Sequence, residues 1–118
     1  MSILSELADL PGVICAGEYS FRGDRFTYKG QMNDDMARQA SIMCRATTMS
    51  MHMQAGIMNN FCERCGLFPS RGWVVRGAQI TVCVVANVFC FLNEADGSMN
   101  QVLNMMNEKV PHDTDELV

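Results

Sequence analysis

Cys62 and Cys65, in the run Cys62-Glu63-Arg64-Cys65, are the residues of this 118-residue chain whose types and spacing come closest to chemistry. A C-x-x-C pair can supply half of a tetrahedral zinc site, or cycle between dithiol and disulfide. One zinc needs four ligands, and the chain has no second C-x-x-C and no C-x-x-H. A metal would therefore have to be shared by two copies across a two-fold axis. A redox pair works best at the start of a helix, where the dipole lowers the thiol pKa, and this pair stands where a helix closes. The favoured reading is a pair of buried, reduced, metal-free structural thiols. A bridging metal and a redox couple are the alternatives.

Met49-Ser50-Met51-His52-Met53 is the second candidate, because thioethers and imidazole suit Cu(I). On a helix these side chains fan out, and only Met49 and Met53 share a face. His52 falls between Arg45 and Asn59 on a polar stripe and reads as solvated, and His112 belongs to the C-terminal tail. Arg38 and Arg45, seven residues apart, could grip an acidic partner, although a plain solvated face is the simpler reading. Arg22-Gly23-Asp24 matches an adhesion tripeptide by chance. There is no Gly-rich phosphate loop, no G-x-S-x-G elbow and no interpretable nucleophile–base set. No enzyme and no cofactor is expected.

The elements that must position these residues centre on residues 33–66, which contain no proline and one internal glycine, Gly56. Asn33 is a plausible N-cap, Asp34 and Asp35 sit where a helix start favours anions, and Gly66 suits the C′ position. The span predicts a helix of about eight turns, about 48 Å long. Met36, Ala40, Met43, Thr47, Met51, Met58 and Phe61 form an apolar stripe expected to lie on a sheet. Arg38, Ser41, Arg45, His52, Asn59 and Glu63 form the opposite, polar one. A third stripe of Ile42, Ala46, Met49, Met53 and Ile57, spaced 4-3-4-4, needs a partner other than that sheet, and is expected to be a dimer seam.

Length fits one domain, expected over residues 1–110, with a short acidic tail at 111–118. The net charge of −4, with both signs mixed, provides no basic field for nucleic acid or anionic lipid. The eleven methionines suit adaptable packing surfaces. The start of the chain lacks the basic and apolar regions of a signal peptide, and no apolar run is long enough to span a bilayer. A cytoplasmic location and reduced cysteines are the expectation.

In order, residues 2–10 predict a short helix capped by Ser2 and stopped by Pro11-Gly12. Val13–Tyr19 predicts a covered strand, residues 20–24 a turn, and residues 25–30 an edge strand with charges on its open side. After a loop at 67–71 come strands at Gly72–Arg76, Ile80–Val85 and 88–92, then a helix capped by Ser98 and ended by Pro111. The order is α-β-β-α-β-β-β-α. It predicts an α+β domain whose five-stranded antiparallel sheet carries the long helix on one face and the two terminal helices on the other. Trp73 opens the presumed edge strand, as a core anchor or an interface residue, and Val75 follows on the same strand.

The opening helix with Leu10-Pro11-Gly12-Val13, the Ala16-Gly17-bearing strand, the long middle helix and the three closing strands resemble the roadblock/dynein-light-chain family, over about residues 3–109. The resemblance is closest to a Met- and Cys-rich prokaryotic branch of that family, with its roadblock/profilin-like fold. It implies homodimers in which the middle helices pair and the sheets join through the third strand. That would place Ile42, Ala46, Met49, Met53, Ile57, Trp73 and Val75 at the interface. It also implies a non-enzymatic role: scaffolding or regulating a partner protein, often a small GTPase. The alternative role is that of a thiol or metal protein using Cys62 and Cys65.

Overall fold

A computed structural model describes residues 3–64, 66 and 70–110. The elements follow the expected order: α1 (Ile3–Ala8), β1 (Val13–Tyr19), β2 (Phe26–Gly30), α2 (Asp34–Met58), β3 (Gly72–Arg76), β4 (Ile80–Val85), β5 (Val88–Asn93) and α3 (Met99–Lys109). The strands form one antiparallel sheet in the order β2-β1-β5-β4-β3. The last strand enters between β1 and β4, which leaves β2 and β3 as the two edges.

Local chemistry sets the helix starts. Asn33 is extended (φ −103°, ψ 175°) and its side chain accepts from the Met36 N–H at 2.8 Å. Ser98 caps α3 in the same way, accepting from the Gln101 N–H at 3.2 Å. Such caps satisfy N–H groups that the first helical turn leaves without partners. Ser2, Cys65, residues 67–69 and the tail from Pro111, with His112, lie outside the described residues.

Each face of the sheet has its own core. Leu4, Leu7, Val102 and Met106 from α1 and α3 pack on Ala16, Cys83, Val85, Val88, Cys90 and Leu92. On the other face, Ala40 and Cys44 of α2 meet Tyr19, Val84 and Phe89, flanked by Phe21, Phe26, Trp73 and Phe91. Because both faces are covered, the central strands have no exposed alternate positions to fill with polar residues.

Two expectations about α2 are corrected. The residues buried beneath it are Ala37, Ala40, Ser41, Cys44 and Ala55, and the expected sheet-facing methionines Met36, Met43 and Met58 are exposed. The sheet already supplies the volume on this side through its aromatic rings, so only small helix residues fit at close-packed density. Ser41 is satisfied there by donating to the Ala37 carbonyl at 2.7 Å. The helix also stops at Met58, eight positions before Gly66. Asn59 and Asn60 follow, poor helix formers directly behind the weak Gly56 turn.

Gly17 makes the aromatic packing possible. A Cβ there would stand 2.1 Å from Cζ of the fully buried Phe89. Gly17→Ala should therefore lower stability by about 1–3 kcal/mol, the usual range for overpacking, read as an earlier midpoint in urea unfolding. The edge strand β3 is tied down at its far end. Arg76 grips Glu94 with two N–H groups at 2.8 and 3.1 Å, and the buried Thr81 hydroxyl donates to the same carboxylate. These contacts hold the Glu94 carboxyl below its usual pKa, the Arg76 hydrogen bonds first and the Thr81 bond second.

Candidate functional site

The five seam residues lie half a helical turn away from Ala37, Cys44 and Ala55, and so on the side of α2 facing directly away from the sheet. All are exposed: Ile42 by 53%, Met49 and Ile57 by 55%, Met53 by 68%, with Ala46 between them. The stripe expected beneath the helix adds Met36, Met43, Met51 and Met58 to the open surface, and Phe61 just past the helix end is 86% exposed. Between Arg45 and Glu63 the chain has no Asp, Glu, Lys or Arg. A monomer's surface helix is normally polar on its outer side, and contiguous apolar patches of this kind mark interaction surfaces.

Beside this helix lies the open edge strand. Val75 of β3 is 56% exposed and pairs in register with Val82 of β4, which in turn pairs with Phe91 of β5. Val82 and Phe91 pack on the α2-side core but are not sealed by it. Trp73 is half-buried and joins edge to helix: its Nε1–H donates to Thr48 Oγ1 at 2.8 Å. The same Thr48 oxygen lies 3.0 Å from the hydroxyl of buried Tyr19. That hydroxyl also reaches the carbonyls of Cys44 and Ala86, each at 3.4 Å. Trp73 is thus anchored to the core, while Val75 faces outward on its own.

Thr48 is the positioning residue that sequence reasoning missed. A lone Thr on a helix carries no signal until the indole and the phenol meet it. Thr48→Val keeps the shape and leaves both polar groups without this partner, which should cost about 1–3 kcal/mol. Trp73 is the chain's one tryptophan, so its fluorescence reports the change directly.

The cysteines divide sharply. Cys15, Cys44, Cys83 and Cys90 are free and buried. Cys62 is exposed and held in a disulfide, which corrects the expectation of a buried, reduced thiol there. Its place past the end of α2, rather than on an apolar helix face, accounts for the exposure. Cys65, the other metal candidate, is not among the described residues, and no group of three or more His, Cys, Asp or Glu among them could hold a metal ion.

The remaining candidates scatter. His52 Nδ1 stands 3.4 Å from Ser70 Oγ. Arg38 pairs with Asp35 at 2.9 Å on the surface. Arg45, expected to be solvated, is half-buried, and its Nε–H donates to the Phe21 carbonyl at 2.5 Å. That bond fastens the β1–β2 turn to the helix, and it removes Arg45 from any pair with Arg38. No helix among the described residues is long and apolar enough to cross a membrane.

A family model described as "Uncharacterized conserved protein (DUF2173)" matches residues 3–108. Comparison with curated proteins finds no match. Among solved structures, the fold is similar to the Roadblock/LC7 domain from Streptomyces avermitilis, with a TM-score of 0.64 at 14% identity, covering 90% of this chain and 87% of that one. It is also similar to Myxococcus xanthus MglB, with a TM-score of 0.70 at 11% identity, covering 90% and 84% respectively. At such identities the likeness shows the fold alone, and the fold is roadblock.

Proposed function

The chain belongs to the DUF2173 family, and from that premise and its roadblock fold we propose that it is a homodimeric interaction module that scaffolds or regulates a partner protein. The observation that carries this reading is the uncharged, outward-facing seam on α2. Its spacing is self-complementary: a two-fold axis near Met49 sets Ile42 against Ile57 of a second copy and Ala46 against Met53. Small Ala46 lets the backbones approach, and the larger residues fill the groove. With α2 paired to α2, the exposed edge of β3 lies free to continue the sheet through Val75, with Trp73 held rigid behind it.

One partner helix covers one stripe. The second stripe, Met36, Met43, Met51 and Met58, then remains on the paired helices as a flexible, polarizable surface of the kind that suits docking of another protein. The roadblock resemblance points to small GTPases as that partner's class, and to binding rather than catalysis in the cytoplasm. Residues 1–110 act as one unit, with 111–118 as a tail.

Light scattering tests the first half: the expected mass is twice the 13.1 kDa of the chain. A photoreactive amino acid at Met43, on the second stripe, tests the other half in cells. Crosslinks to a small GTPase are expected. A monomeric mass overturns the dimer, whereas crosslinks only to proteins without a nucleotide fold overturn the partner class.

A further inference from the structure

We propose that Met36, Met43, Met51 and Met58 form a reversible oxidation site: peroxide turns their thioethers into sulfoxides and releases a docked partner, and sulfoxide reductases restore the surface. The release rests on the docking surface proposed above; the oxidation itself does not.

Met36, Met43, Met49, Met51, Met53 and Met58 all lie on α2, and all are exposed. The four named here follow one flank of the helix, clear of the seam, and are exposed by 36–55%. Met106 is 0% exposed, and Met32, Met99 and Met105 are half-buried. Thiols ordinarily meet an oxidant first, because the thiolate is the stronger nucleophile. Here Cys15, Cys44, Cys83 and Cys90 are buried. Cys62, although exposed, is already in a disulfide. Among the described residues, the sulfurs open to a peroxide are therefore the thioethers of α2. Two independent features, exposed methionines and sheltered cysteines, point the oxidant to the same helix.

The chemistry is an oxygen-atom transfer. The thioether lone pair attacks one oxygen of hydrogen peroxide, an S–O bond forms and the O–O bond breaks. The departing hydroxide takes the proton left on the transferred oxygen and leaves as water. Sulfur loses two electrons and the peroxide gains them. In reverse, a reductase dithiol gives up two electrons and two protons, the oxygen leaves as water, and the dithiol ends as a disulfide. The consequence falls on recognition. With no Asp, Glu, Lys or Arg between Arg45 and Glu63, this part of the helix holds a partner without ion pairs. A sulfoxide puts a strong acceptor where the partner must bring apolar surface, and burying it without a donor is costly.

The test treats the full chain with hydrogen peroxide under native conditions and maps added oxygen by peptide mass spectrometry. Met36, Met43, Met51 and Met58 should oxidise at least about tenfold faster than Met106, and the two reductases specific for the sulfoxide epimers should remove the oxygen. Met49 and Met53, covered in a dimer, should lag; if they keep pace, the seam fails and the oxidation site stands. In cells, the photoreactive residue placed at Met43 should lose most of its crosslinks on peroxide treatment. Adding Met36→Leu, Met51→Leu and Met58→Leu, which keep the volume, should preserve them. Absence of crosslinks before treatment would remove the docking surface and the release with it, while the oxygen map still decides the site. Oxidation of the four no faster than of Met106, oxygen that the reductases leave in place, or equal loss of crosslinks in the leucine variant would each overturn the proposal.

Discussion

Moving the protein from about pH 8 to about pH 11 should unfold it, because four buried thiols keep their protons in the folded chain and lose them in the unfolded one. Burial pushes Cys15 and Cys83 up from 9.0 to about 11, and Cys44 and Cys90 up to about 12. Tyr19 adds to the same effect, rising from 10.0 to about 12, again through burial. A raised acid pKa means that the folded state binds the proton more tightly. These groups therefore cost no stability below about pH 9 and progressively more above it, until the folded-state values are reached. Each group ionised only in the unfolded chain costs about 1.4 kcal/mol per pH unit, so four thiols cost at most about 5.5 kcal/mol per unit. Against a typical total of about 5–15 kcal/mol, the fold should fail within roughly two pH units. Urea unfolding at stepped pH measures the slope. Cys90→Ala should flatten it by about a quarter, and equal stability at pH 8 and pH 10 would contradict the account.

Met49→Asp should convert the dimer to monomer. Met49 is 55% exposed and lies nearest the axis proposed for the seam. The substitution removes two buried thioether side chains from each dimer, worth about 1.5–3 kcal/mol apiece. At about 1.4 kcal/mol per tenfold, that loss alone weakens association by two to four orders of magnitude. Two carboxylates facing each other in a dry contact add to it. Asn104→Asp, on the exposed side of α3, introduces the same charge far from the seam and should leave the dimer unchanged. Arg45 is no control, because its bond to the Phe21 carbonyl gives it a structural role. Light scattering over a concentration series decides the matter. A monomeric wild type, or a Met49→Asp dimer of ordinary affinity, would remove the seam.

What could be read from the chain alone was what neighbouring residues decide. Asn33 and Ser98 announced their helices because capping is settled within four residues. The β2 edge followed from its charged alternate positions, and the covered place of β1, β4 and β5 from runs apolar on two faces; the order of the strands within the sheet depends on pairings distant in the chain. The seam spacing left five residues facing away from the sheet. The face of α2 beneath them was misread because it depends on distant partners: Phe89 and Phe91 fill the space, so Ala37, Ala40 and Cys44 must be small. Counting methionines as core overlooked that volume. The end of α2 is set by weak helix formers, Asn59 and Asn60 behind Gly56, which an apolar stripe running on to Phe61 conceals, and the state of Cys62 rests on a covalent bond that no periodicity reports.

The position of β5 has a consequence for biosynthesis. β1 pairs with β5, with Val13 opposite Leu92, so the centre of the sheet is assembled from the beginning and the near-end of the chain. While the ribosome works between these two strands, β1 has one unsatisfied edge and α2 has no sheet to lie on. The nascent chain then displays both sides of a methionine-rich helix at once, and non-local pairing of this kind is slow and exposed to aggregation. Only when residues 88–93 emerge can β5 enter beside β1 and α2 lose one of its two open faces. Soluble yield should accordingly be governed by chaperone supply and translation speed during that interval.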